Sequence, residues 1–159
     1  MPERRDWIEE RYQNAQARRA EIKDAATAEH RKLRPDELAQ SWGIEFELVD
    51  EIGSSGYDRM LYDEGRANRT KVHWVGPGSN ADLAGIERGD IPISFDGHPV
   101  FSPQFFRERK WEQNAGAVVP IEVLRNGEIV ALLMTNDELI RSRSGVINGM
   151  TLLPFAEEP

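Results

Sequence analysis

The sequence predicts an α+β fold in which one long helix precedes a module of short antiparallel strands, and three stretches carry that prediction. Residues 3–33 contain no glycine or proline and are rich in Ala, Glu, Arg and Gln, the composition of a continuous helix. In Val72–Val100 a strand, a turn, a short capped helix, a second turn and a second strand follow in fixed order. In 118–135, VVPIEVLR and EIVALLMT flank Asn126-Gly127, the strongest short-range hairpin signal.

Taken in order, the helix 3–33 carries Ile8, Tyr12, Ala15, Ile22, Ala26 and Leu33 near heptad spacing, with Arg19 and Glu29 interrupting the seam. So thin a stripe suits docking on the body, a solvated stalk, or self-association through residues 3–33. Arg34-Pro35 ends it, and Asp36–Ser41 are expected to form a short second helical turn. Val72–Val75 suit a strand, which Gly76-Pro77-Gly78 stops. Ser79 is placed to cap a helix over Asn80–Ala84, with Asp82 as its reciprocal partner and Gly85 at the left-handed exit. Gly89-Asp90 then turns into a strand over Ile91–Phe95, and Asp96-Gly97 marks a tight turn. Pro92 removes a donor from that strand, which implies an edge or a bulge. Ser102 and Pro103 open a helix expected to reach Asn114.

The run PGSNADLAGI, followed by RGD and FDG, strongly resembles the PDZ domain in the form found in bacterial Deg-type serine proteases and carboxyl-terminal processing proteases, here without a protease domain. The resemblance spans about Ser41 to Thr135. It implies a partly open antiparallel β-barrel or sandwich capped by two helices, organised as a helical extension at 1–40, a PDZ-like domain at 41–136 and a tail or added edge strand at 137–159. It also implies a protein–protein interaction module that takes carboxyl-terminal or extended peptides by strand addition. In this family an apolar-Gly-apolar triplet opens the groove strand, and Trp42-Gly43-Ile44 stands where that triplet is expected. Converging backbone N–H groups there would form a nest for a terminal carboxylate, and the strand 44–48 would leave one edge open. The opposite wall would be the helix 103–114, with Phe106 in the core and Phe105 at the groove. The peptide-binding residues expected on this basis are Trp42, Gly43, Ile44, Glu45, Phe46, Leu48, Phe105, Arg109 and Glu112. Arg109, Lys110 and Glu112 depart from the small or aliphatic residues usual on that helix; an arginine favours an acidic ligand residue, and Glu112 near the nest opposes a carboxylate. The alternative is an assembly domain whose groove is filled by its own N-terminal helix, its 51–70 loop or its C-terminal tail. The 51–70 loop is long and carries Tyr57, Met60, Leu61 and Tyr62, as a flap over the groove or an insertion folded on its own side chains.

Composition narrows the function classes. The chain of 159 residues has a formal net charge of −8, distributed unevenly. Residues 1–34 hold nine Lys and Arg against seven Asp and Glu, and the remainder holds eleven against twenty-one. That acidic body opposes nucleic acid and anionic lipid. The start, MPERRDWIEERYQ, is charged throughout and no apolar run approaches the length of a span, so membrane insertion is not expected. As written the chain reads as cytoplasmic, and a removed signal peptide would instead place it in the cell envelope. There is no cysteine, so neither a disulfide framework nor a thiolate site is available. No enzyme, metal or cofactor is expected: His30, His73 and His98 lack metal-pair or triad spacing, and Gly53-Ser54-Ser55-Gly56 has no recognisable base beside it.

Overall fold

The computed structural model describes residues 2–137 and 145–159, which divide into two compact units, residues 1–60 and 61–159. The first is helical: α1 (Pro2–Ala28), α2 (Pro35–Ile52) and most of α3 (Ser54–Asp63), which continues across the division. The second holds β1 (Arg69–Val75), α4 (Asn80–Ala84), β2 (Ile91–Phe95), β3 (His98–Pro99), α5 (Pro103–Lys110), β4 (Val118–Arg125), β5 (Glu128–Thr135), β6 (Val146–Ile147) and β7 (Met150–Phe155). The architecture is α+β, with two antiparallel sheets in the orders β1-β7-β6 and β3-β2-β4-β5 that do not close into a barrel.

In the helical unit, α1 ends earlier than expected, at a turn where His30 takes a φ of 53°, so Leu33 is not part of it. Pro35 opens α2 rather than a single turn: the Glu37 carboxylate accepts from the Arg34 N–H at 2.9 Å and from both arms of the Arg31 guanidinium. The helix then runs through 42–48, where a strand was expected. Its spacing explains why. Ser41, Ile44, Glu45, Leu48, Val49 and Ile52 are all buried and recur at intervals of three and four, a helical stripe that shares Ile44 and Leu48 with the alternating set Trp42, Ile44, Phe46 and Leu48 on which a strand reading rests. Glu45, expected among the peptide-binding residues of a groove strand, is 1% exposed inside the helical unit. Its carboxylate accepts from Gln16 Nε2 at 3.0 Å, from Arg19 Nη1 at 2.9 Å and from the Tyr57 hydroxyl. Arg19 also donates to Ser41 Oγ at 2.9 Å and lies over the Trp42 ring at 4.8 Å. Arg19 therefore does not interrupt a seam; it is part of one, because a buried carboxylate needs a paired cation and filled lone pairs. The expected 51–70 loop is largely α3, with Tyr57 and Met60 buried in it.

In the second unit, α4 and β2 have the expected bounds. Ser79 Oγ accepts from the Asp82 N–H at 3.2 Å, Asp82 Oδ2 accepts from the Gly78 N–H at 2.8 Å, and Gly85 exits left-handed at φ 90°. The β2–β4 register shifts between Pro92 and Ser94, the bulge that Pro92 implies. Asp90, 1% exposed, is held bidentately by Arg125 at 2.8 and 2.7 Å and accepts from the Glu87 N–H at 2.9 Å, tying the turn before β2 to the β4–β5 hairpin. One core contains Phe95, Phe106, Ile121, Val123 and Met134 together with Ile147, Met150 and Leu152 from the C-terminal segment. Of the stretch expected as a tail or added edge strand, residues 146–155 form strands: β6 is terminal in its sheet and β7 lies between β1 and β6. The part of the expected C-terminal region at 138–144 lies outside the described residues.

The Arg31 and Arg34 contacts hold the Glu37 carboxyl at about 2, against an ordinary 4.5. A lowered folded-state pKa stabilises above the unfolded value and loses that contribution as pH falls through the folded one. The melting-temperature gap between the native chain and Glu37→Gln is therefore expected to be full above about pH 4.5 and to close toward pH 2. A gap independent of pH across that window contradicts the assignment.

Candidate functional site

The nest expected at Trp42-Gly43-Ile44 is absent, because all three lie in the interior of α2 with their backbone in the helical ladder. Gly43 has no left-handed φ, and a Cβ built on it meets nothing within 4 Å. Ile44, Glu45, Phe46 and Leu48 are buried helix residues and present no strand edge. On the other expected wall, α5 ends at Lys110, short of Asn114. Ser102 Oγ caps it, accepting from the Phe105 N–H at 3.3 Å. Phe106 is in the core, stacked at a tilt on Phe95 with ring centroids 4.9 Å apart. Phe105 is 4% exposed and packs edge-on to Phe101 at 5.3 Å, so it is not an open groove residue. Arg109 donates to both oxygens of Glu112, at 3.1 and 3.3 Å; the two charges neutralise one another instead of acting separately on a ligand. Lys110 pairs with Asp137.

The strand beside β1 comes from the far end of the chain. Asn148 and Gly149 form a type I′ turn, with φ of 50° and 85°, between β6 and β7. The same chemistry recurs at Asp96-Gly97 and Asn126-Gly127. The third turn is fastened to the Pro-Gly-Ser segment: the Gly149 carbonyl accepts from the Gly76 N–H at 2.7 Å, and the Asn148 carbonyl accepts from the Ala81 N–H at 2.9 Å. The Asn148 side chain accepts from the Asp137 N–H at 3.0 Å. A Cβ on Gly149 would overlap the Ser79 side chain. From this turn β7 runs antiparallel to β1, pairing Val75 with Met150, Val72 with Leu152 and Arg69 with Phe155. Asn68 closes the far end, its side chain exchanging hydrogen bonds with the backbone of Glu157 at 2.7 and 2.8 Å.

The direction of β7's free edge follows from these bonds. Val72 donates to the Asp90 carbonyl and accepts from the Gly89 N–H, so its backbone faces away from β7. Its partner Leu152 must likewise face away from β1, and by alternation Met150 and Pro154 do the same. β6 pairs with Met150 and Thr151 along this outer edge, and α5 packs close to β7. Beyond Thr151 the edge has no strand partner among the described residues, and Pro154 there offers an acceptor but no donor. A glycine opening a strand beside a helix is thus present at Gly149-Met150, not at Gly43-Ile44. The signal for it is present in the sequence, since Asn148-Gly149 before the strand-forming residues Met150–Leu153 is a hairpin signature like that at Asn126-Gly127.

The order of strand, Ser-capped short helix, Gly-Asp turn, strand, tight turn, capped helix and hairpin matches the resemblance read from the sequence. The second unit has a PDZ-like fold. Solved structures similar to the chain include the PDZ domain of an SdrC-like protein from Listeria monocytogenes, at 20% identity and a TM-score of 0.45, covering 54% of this chain and 88% of that one. A serine endoprotease from Yersinia pestis is similar at 26% identity and a TM-score of 0.36, over 55% of this chain and 36% of that one. An HtrA-type protease solved with a decapeptide is similar at 16% identity and a TM-score of 0.36, over 57% and 36%. No family model matches the chain. No curated protein matches it. Among the described residues no helix is long and apolar enough to cross a membrane, and no three His, Cys, Asp or Glu side chains group as metal ligands.

The two glycines are expected to respond in opposite senses. Gly149→Ala, strained at positive φ and driven into Ser79, should cost roughly 2–4 kcal/mol in chemical denaturation. Gly43→Ala, in an open helix position, should gain about 0.5–1 kcal/mol. Equal effects, or a reversed order, contradict the placement of the glycine-opened strand.

Proposed function

We propose that the chain is a non-catalytic protein–protein interaction module that receives an extended peptide segment beside β7 and α5. The observation that carries this reading is the outer edge of β7, a strand close to α5, which among the described residues is spanned by only the two residues of β6. An added strand would take backbone hydrogen bonds from that edge, and alternate side chains would give it specificity. The donor missing at Pro154 limits how far the pairing extends and keeps affinity low. The groove between residues 44–48 and 103–114 is not part of this proposal.

The same edge favours a second reading. β6 already stands where the first residues of an added strand would pair, so a free peptide must displace it or extend beyond it. If it does neither, the edge is self-occupied and the domain serves assembly. Titrating the full chain with a carboxyl-terminal peptide library, in free and amidated forms, while following amide exchange separates these cases. Micromolar binding that slows exchange along Leu152–Phe155 or frees the Ile147 amide is the expected result. Silence toward both libraries supports the assembly reading, and peptide protection confined to residues 42–48 contradicts both.

A further inference from the structure

Among the described residues, the longest strand edge without a strand partner belongs to β5, at the end of the second sheet, and nothing in the peptide reading uses it. In the order β3-β2-β4-β5, β5 is terminal and among the described residues pairs only with β4, in an unbroken register from Val118↔Thr135 to Arg125↔Glu128. The two-residue turn at Asn126-Gly127 directs the backbone of Glu128, Val130, Leu132 and Met134 at β4, and the Asn136–Ala117 hydrogen bond continues the alternation. The N–H and C=O groups of Ile129, Ala131 and Leu133 therefore point outward, away from the sheet. The side chains of these three residues lie on the solvent face: Ile129 is 63% and Leu133 65% exposed, beside Val118 at 61% on β4. The devices that usually protect an edge are absent, since β5 has no proline, no lysine and no bulge. The other edges do have them, for β3 and β6 are two residues long, Pro99 and Pro154 sit in β3 and β7, and β1 carries Lys71 and a register shift after Val72.

We infer that this edge pairs with β5 of a second copy of the chain, antiparallel about a two-fold axis through Ala131, joining the two four-stranded sheets into one. The occupant is identified by self-complementarity. Only a register centred on Ala131 sets all three free apolar positions against one another, with Ile129 opposite the partner copy's Leu133 and Ala131 opposite itself. Each facing pair then exchanges both of its hydrogen bonds. Glu128, the one charge in the strand, falls opposite Met134, so no like charges meet along the seam. The smallest side chain of the stretch sits on the axis, and the exposed apolar side chains of the two copies become one continuous face. One strand edge and its side chains fall short of the ~1,600 Å² of a standard interface, so the association is reversible and concentration-dependent. With a net charge of −8 on each chain, added salt strengthens it.

Sedimentation velocity on the full chain, over about a hundredfold concentration range at low and moderate salt, tests this together with two variants. Ala131→Pro removes an N–H that points outward and so spares the β4–β5 ladder; it should weaken dimerisation by at least about tenfold while thermal unfolding stays cooperative. Ala131→Cys, in a chain otherwise free of cysteine, places two thiols on the axis with Cα atoms about 5.5 Å apart, within disulfide reach. It should cross-link on mild oxidation, whereas Glu128→Cys, roughly 20 Å from its own copy, should not. A chain that stays monomeric at every concentration overturns the inference. So does a dimer unaffected by Ala131→Pro, or equal cross-linking of the two cysteine variants.

Discussion

The antiparallel pairing of β7 with β1 is the constraint on which the second unit depends. β1 has the hydrogen-bonding capacity of an interior strand: Val72 spends one side on the Gly89-Asp90 turn, and the other side needs a partner. The chain could meet that need from upstream, where the resembled family has its groove strand, or from downstream. It does so from downstream, and the choice is fixed by the turn that precedes β7. Asn148-Gly149 both reverses the chain and docks on Gly76 and Ala81, while the missing Cβ of Gly149 lets it approach Ser79. The PGS segment, which the sequence marks as the start of a capped helix, is also the receptor for the C-terminal hairpin. Met150 and Leu152 then complete a core that the residues before 136 leave open.

Once the C-terminal segment has taken that place, the residues upstream of β1 are free to be something else. They form helices whose mutual packing rests on polar contacts as much as apolar ones. Glu45, with Arg19, Gln16 and Tyr57 around it and Ser41 and Trp42 on Arg19, gives the helical unit a single satisfied network in place of a broad apolar stripe. Such a network selects one register of the helices, because a displaced partner leaves a buried carboxylate uncompensated. Arg125 and Asp90 play the corresponding part in the second unit, and the pairing with Asp90 raises the Arg125 pKa further above its ordinary value.

What the sequence reveals is strongest where local chemistry decides. Ser79, Gly85, Asp96-Gly97, Ser102-Pro103 and Asn126-Gly127 each specify a cap or a turn through their own side chains or their freedom in φ, and the structure has each of them as expected. The segment 42–48 misleads because Trp42, Ile44, Phe46 and Leu48 alternate, while Ser41, Ile44, Glu45, Leu48 and Ile52 follow a helix. The helical pattern is complete only if a glutamate is counted as buried, and that depends on Arg19, 26 residues away. The glycine that opens a strand is hard to place in the sequence for a related reason. Gly43-Ile44 and Gly149-Met150 both look like a glycine opening a strand, and only pairing across more than seventy residues, Val75 with Met150, distinguishes them. Long-range pairing of this kind leaves no local trace except the Asn-Gly turn before it.

The most direct test is the unfolding of a chain that ends at residue 137, followed by tryptophan fluorescence in urea against the full-length protein. If β7 completes the second unit, the truncated chain loses the cooperative transition of that unit and the amides of Lys71 and Trp74, which face β7, exchange without protection. A truncated chain with the midpoint and the β1 protection of the intact protein would contradict the account.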